Sequence, residues 1–235
     1  MKGVRSILVF VLLLMIVSLA VGGEHLTLQK AQGDVSVRAG VTETWLKATA
    51  GDSLKPDATL KTGKQSSAVI LLAATNKKIS LPPEVMVDIS DIRTLTQEEL
   101  MLKLTMEKVR ASSYQWKNKE MNMPNVAAVH GPPKDTKVPL VEGSSEVGEL
   151  QLNGTRVLYD NGFYSTSALK TMEVLRQYPV LKNKFENRLF VPQALEKANL
   201  KSEALNEYVA LSMSDGVTKE QKDRLLTKIA QLKRH

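Results

Sequence analysis

The stretch that decides the fold is GDVSVRAGVTETWLKATAGDSLKPDATLKTGKQSSAVILL, residues 33–72. Short runs rich in β-branched residues, VSV and AVILL, alternate with turn signals at Gly33-Asp34, Gly51-Asp52, Pro56-Asp57 and Gly63. VMVDI, after Pro82-Pro83, carries the pattern to about residue 92. Successive strand side chains point to opposite faces. Val35 and Val37 therefore share one face, and Leu54, Leu60, Val69, Leu71, Ile79 and Leu81 extend the predicted core, with Trp45 as its cap. Turns about every ten residues predict an all-β sandwich or small barrel. T-G-K-Q-S, residues 62–66, lacks the first glycine of a phosphate loop and reads as a hairpin turn. The stretch holds no Cys and no His, and its acidic residues converge on no site.

Composition narrows the function classes. At 235 residues the chain can hold one or two domains with real cores. Aromatic residues make up only 5%, too few for an extended stacking platform. The formal charge is +7, yet Lys and Arg are scattered among Asp and Glu with no long basic run. That pattern gives diffuse attraction to anions and no nucleic-acid footprint.

The first residues speak to compartment. Lys2 and Arg5 head the uncharged run ILVFVLLLMIVSLAV, residues 7–21, which Gly22 and Gly23 follow. A basic head, an apolar run of about 7–15 residues and small residues behind it predict a signal peptide over 1–23. Ser18 and Ala20, or Ala20 and Gly22, stand where a signal peptidase reads. The alternative is an uncleaved inner-membrane anchor, for which the run is short against the roughly 20 residues of a spanning helix. With no cysteine there is neither a lipid attachment site nor a disulfide, which fits a bacterial cell envelope, periplasmic or secreted.

The order G-D-V-x-V, Trp, A-x-x-G-D-x-L-K-P, L-K-T-G-K-x-S-x-A-x-I-x-L, K-I-x-L-P-P resembles the FecR domain, an extracytoplasmic β module of bacteria. Gly33, Val35, Val37, Trp45, Gly51, Leu54, Thr62, Gly63, Ser66, Ala68, Ile70, Ile79 and Leu81 carry the resemblance. AATNKK, residues 73–78, departs from the family's tight Asp-Gly-type turn, with Asn76 able to supply it. The resemblance implies a FecR-like β domain over 24–130. The family's iron-transport signalling needs a cytoplasmic region ahead of the membrane segment. Residues 1–5 do not supply one, so that role is not expected here.

Two readings stand for residues 96–111. Thr96 and Glu99 fit a capping box ahead of Leu100, Met101, Leu104, Met106 and Val109 at near-helical spacing. The rival is a strand, LMLKLTM. A helix here would be an insertion or lid on the β module. MNMPNVAAVHG, residues 121–131, resembles the segment that closes many FecR domains. GPPKDTKVPLVEGSSEVGE, residues 131–149, reads as a linker between parts that fold separately.

From residue 150 to 235 the period is helical. LYDNGFYSTSALKTMEVLRQYP resembles a tetratricopeptide repeat through Gly162, Tyr164, Ala168, Leu175 and Pro179. A weaker second copy uses Leu195, Asn199, Ala204, Tyr208 and Leu211. Pro192 and Asn153-Gly154 depart from the pattern, and a helical-hairpin bundle without repeat ancestry is the other reading. Thr218 and Gln221 form a second capping box, before a stripe of Leu225, Leu226, Ile229 and Leu232.

Catalytic patterns are not found. His25, His130 and His235 have no ligand-spaced partner, so no metal site is expected. No G-x-S-x-G occurs. Asp88, Asp91 and Glu98 cluster in sequence but read as strand-edge and helix-cap residues. Trp45 and Trp116 are the possible ligand contacts, since an indole can stack on a sugar ring. The expectation is an α+β chain: an N-terminal all-β part with one inserted helix, then helical hairpins. Its role would be an envelope binding or scaffold protein, not an enzyme, with no cofactor, capturing a protein partner through the helical part. The alternative is a carbohydrate- or peptidoglycan-binding module, with a cell-wall polysaccharide as partner.

Overall fold

The structure is a computed structural model, which describes residues 26–118 and 145–234. The expected signal segment, the 121–131 segment, residues 131–144 of the linker and all three His lie outside the described residues. Among the described residues two four-stranded antiparallel sheets come first and six α-helices follow. The first sheet has the order β4-β1-β6-β7, built from β1 (Leu26–Gln32), β4 (Ser53–Leu54), β6 (Ser67–Leu72) and β7 (Lys77–Leu81). The second has the order β3-β2-β5-β8, built from β2 (Val35–Ala39), β3 (Leu46–Lys47), β5 (Ala58–Thr62) and β8 (Val85–Asp88). The inner faces share one apolar cluster, and among the described residues no closed barrel forms.

Three crossovers between the sheets, β1–β2, β5–β6 and β7–β8, are tied together by hydrogen bonds. Ser66 Oγ accepts from the Asp34 backbone N–H at 2.8 Å, and the Gly63 N–H donates to the Asp34 carbonyl at 2.8 Å. Thr62 Oγ1 donates to the Pro82 carbonyl at 2.7 Å and accepts from the Val85 N–H at 3.0 Å. Gly33 has φ of 80°, and a Cβ there would stand 2.6 Å from Ser66 Oγ. Left-handed backbone and close approach both require glycine. T-G-K-Q-S is therefore a corner between sheets, not the hairpin expected, because β5 and β6 belong to different sheets. Asn76, at φ of 52°, does turn the β6–β7 hairpin as expected.

Three core expectations change. In β6 it is Ala68, Ile70 and Leu72 that are buried, while Val69 and Leu71 are half-buried on the outer face. AVILL is apolar at every position, so alternation cannot set its phase. Pairing with Leu28 and Ile79 on either side of Ile70 sets it instead. Trp45 does not cap the core: it is half-buried, with Arg38 and Lys61 over its ring. Leu226 is 48% exposed, one position off the stripe that buries Leu225 and Ile229.

Residues 97–118 are helical, α1 (Gln97–Asn118). Both capping-box bonds form, Glu99 N–H to Thr96 Oγ1 at 3.2 Å and Thr96 N–H to Glu99 Oε2 at 3.1 Å. Leu100 and Leu104 join the helical core, so α1 belongs to the helical layer and is not a lid on the sheets. Met101, Met106 and Val109 face outward. Then follow α2 (Ser145–Asp160), α3 (Tyr164–Gln177), α4 (Phe185–Lys197), α5 (Lys201–Ser212) and α6 (Lys219–Lys233), each packed on the next. Gly162 (φ 81°) and Asn199 (φ 63°) occupy the turns after α2 and α4, where glycine and asparagine end helices. Pro192 lies inside α4, which continues to Lys197. The Thr218–Gln221 capping box starts α6 as expected.

Helix α2 joins the two parts. It starts at Ser145, within the expected linker, and a boundary at residue 150 falls inside it. Asn153-Gly154, expected to weaken the first repeat, is its contact with β8. Asn153 Nδ2 donates to the Glu84 carbonyl at 2.8 Å, and a Cβ on Gly154 would stand 2.0 Å from the Met86 carbonyl oxygen. Val157, Leu158 and Phe163 enter the β core, while Leu152 on α2 joins the helical core. The helix thus shields β8, an edge strand, whose unpaired backbone would otherwise be open to other chains.

Ser66→Ala should lower stability by about 1 kcal/mol, the net worth of the part-buried hydrogen bond its hydroxyl accepts from the Asp34 N–H. Ser80→Ala, on the exposed side of β7, should stay within about 0.5 kcal/mol of the parent. Urea unfolding of the two variants checks this, and equal midpoints would contradict it.

Candidate functional site

Helices α1, α3, α4 and α5 enclose a groove of about 500 Å³. Its apolar wall comes from Met172 and Leu175 on α3, Val191 on α4, and Ala210 and Leu211 on α5. Three cations reach it. Arg176 is neutralised by Glu107, which is 6% exposed and receives both the Nε–H and an Nη2–H of the guanidinium. This pair ties α1 to α3, and breaking it would leave a buried charge uncompensated.

Lys182 and Arg188 have no carboxylate partner among the described residues. Burial, with Arg176 close by, pushes the Lys182 ammonium down from its usual value. Arg188 donates to Ser214 Oγ at 2.9 Å and more weakly to the Asp215 carbonyl at 3.5 Å, while its buried Nε–H has no acceptor. Glu207, on the same groove, is pushed up by burial against the attraction of Lys108. The groove therefore offers an apolar wall beside two cations not yet paired with an acid.

A second cluster lies where β8 meets α3. Lys170 Nζ donates to Asp88 Oδ2 at 2.7 Å and stands 3.3 Å from Glu173 Oε2 and 3.6 Å from Asp91 Oδ2. Burial opposes the Lys170 charge, but the three carboxylates outweigh it and hold the ammonium above its usual range. Burial would raise Asp88 as well. Lys170 and a 2.7 Å hydrogen bond from Thr59 Oγ1 bring it below the usual value. Asp91 goes the other way, to about 6, because burial dominates and Asp88 and Glu173 repel it. Its Oδ2 is buried without a hydrogen bond, the Lys170 contact being too long for one.

Of the expected trio, Asp88 and Asp91 converge on Lys170, while Glu98 lies exposed on the first turn of α1. The cap is made by Thr96 and Glu99. Among the described residues no group of acidic residues or His is placed to hold a metal ion. Trp45 lies on the outer face of the second sheet, with the Arg38 guanidinium carbon 5.0 Å and Lys61 Nζ 4.5 Å from its ring centre. Trp116 falls in the last turns of α1, where side chains lie outside the described residues. Sequence reading missed Lys182, Arg188, Glu207 and Lys170. The only local signal was the Lys170–Glu173 spacing on one helix face, which does not point to a partner on another element.

No family model matches the chain, and no curated protein or solved structure matches it.

The fold holds ionised Asp91 at a cost. A carboxyl whose pKa is raised from 3.8 to about 6 contributes stability below pH 4 that is lost as pH rises through 6. Asp91→Asn should therefore stabilise the protein at pH 7.5 by on the order of 1–3 kcal/mol. Asp88 and Glu173 remain to pair with Lys170. The advantage should shrink as the pH falls to 4.5, which denaturant midpoints at both pH values measure. A less stable variant at pH 7.5 would contradict the assignment.

Proposed function

We propose that this chain is an exported scaffold protein of the bacterial envelope, working by binding and not by catalysis. In this reading its β part is a FecR-like module and its helical hairpins are tetratricopeptide-like. The groove among α1, α3, α4 and α5 receives a segment of a protein partner. The observation that carries the reading is the pairing of an apolar wall with two cations, Lys182 and Arg188, that no carboxylate meets among the described residues. Lys182 is exposed and Arg188 half-buried at the groove, so an acidic side chain can reach them in charge-assisted bonds, while an apolar side chain beside it covers the wall.

The repeat-like reading draws support from the two turns at Gly162 and Asn199 and from Ala168 and Ala204, both fully buried in the second helices of their hairpins. Helix α6 closes the array, with Leu225 and Ile229 buried on it and Lys228 paired to Glu196 of α4 at 2.8 Å. Export rests on the composition of residues 1–23. Among the described residues no helix is long and apolar enough to cross a membrane.

A photocrosslinking residue at Ala210, exposed on the groove, tests the function in producing cells. A discrete protein adduct is expected, reduced at least tenfold by Arg188→Glu with Lys182→Glu. Adducts that persist in the double variant, or that form only from positions on the sheets, would refute the groove. Leu225→Ala should cost about 2–5 kcal/mol by opening a cavity between α5 and α6, and should weaken the same adduct. N-terminal sequencing of the mature protein should begin between residues 21 and 24. An intact Met1 in membranes would refute cleavage.

A further inference from the structure

The outer face of the second sheet carries a second set of cations outside any ion pair among the described residues, arranged by strand register. Ser36 on β2 pairs with Lys47 on β3 and with Lys61 on β5, so the three side chains line one row on one face. Arg38 pairs with Thr59, and Thr59 with Asp88, in the next row of the same face. Trp45, just ahead of β3, lies half-exposed between Arg38 and Lys61. Neither Arg38, Lys47 nor Lys61 is in an ion pair among the described residues, and the buried Nε of Arg38 lacks an acceptor. Asp88, the carboxylate in the second row, is already bonded to Thr59 and Lys170.

We propose that this face binds an acidic polysaccharide, with Trp45 against a sugar ring and Arg38, Lys61 and Lys47 on its carboxylates. The two lysines flanking Ser36 are two strand spacings apart, about 9–10 Å, a distance held by backbone pairing and suited to a chain whose acidic sugars recur. Arg38 and Lys61 now rest on the indole ring, a weak partner that a charge-assisted bond to a carboxylate outcompetes. An acidic peptide is a poorer match. Extended peptides bind sheets at an open edge, through main-chain bonds, and here the adjoining edge, β3, is only two residues long. Nucleic acid would call for successive rings to stack on, and this face presents a single indole.

Affinity electrophoresis of the full chain through gels containing polygalacturonate tests this. Its fully methyl-esterified form and polyglutamate serve as the neutral-glycan and acidic-peptide comparisons. Polygalacturonate should retard the protein, the ester should not, and polyglutamate should act at least tenfold more weakly. Lys61→Gln and Trp45→Ala should each raise the apparent Kd at least fivefold. Lys182→Gln, in the helical groove, should leave it unchanged, which separates this site from the protein-binding groove. Lys61 is partly exposed, so its variant stays informative if Trp45→Ala fails to fold. No retardation by polygalacturonate, equal retardation by polyglutamate, or full binding by the Lys61 variant would overturn the proposal.

Discussion

The structure depends on a knot of hydrogen bonds at one end of the β part. A chain that builds two facing sheets must change sheet repeatedly, and each change exposes backbone that no ladder satisfies. Here Ser66 Oγ, Thr62 Oγ1 and the Asp34 backbone satisfy it, binding three crossovers to one another. That fixes where β2, β5 and β8 lie over β1, β6 and β7, and hence which side chains meet between them. Thr62 is fully buried and Ser66 nearly so, so these hydroxyls serve the backbone.

The second dependence is the joint at α2. Gly154 lets the helix axis come down onto the Met86 carbonyl, and Val157, Leu158 and Phe163 then complete the core that the strands leave open at β8. Lys170 adds a polar tie from α3 to Asp88 at the end of β8 and to Asp91 in the turn that follows. The helical groove and the cationic face of the second sheet are thereby held on one frame, each with cations that form no ion pair among the described residues. In both places the unmet charge is set by neighbours on different elements, not by local sequence.

Much of the fold was legible because its signals are local. The Thr96 and Thr218 capping boxes, the Asn76 turn and the Val35/Val37 face depend on residues within a few positions of each other, and all appear as read. Where the reading needed a partner far along the chain, it failed. AVILL could not reveal its phase without Ile79 and Leu28 beside it. T-G-K-Q-S looked like a hairpin because nothing local says that β5 and β6 lie in different sheets. Trp45 was read as a core residue from its bulk, although Arg38 and Lys61, seven and sixteen positions away, hold it outside. The groove cations Lys182 and Arg188 stand out only because no carboxylate among the described residues pairs with them, which depends on how separate helices are placed and not on local sequence.

The central claim is that the sheets and the helices form one frame through α2. Native-state amide hydrogen exchange reads this directly. The amides of Val157 and Leu158 should open with the same free energy as those of Leu60 and Ile70, since all four side chains share one core. If Val157 and Leu158 exchange with the helices α5 and α6 while Leu60 and Ile70 stay protected, the two parts open separately and the account is contradicted.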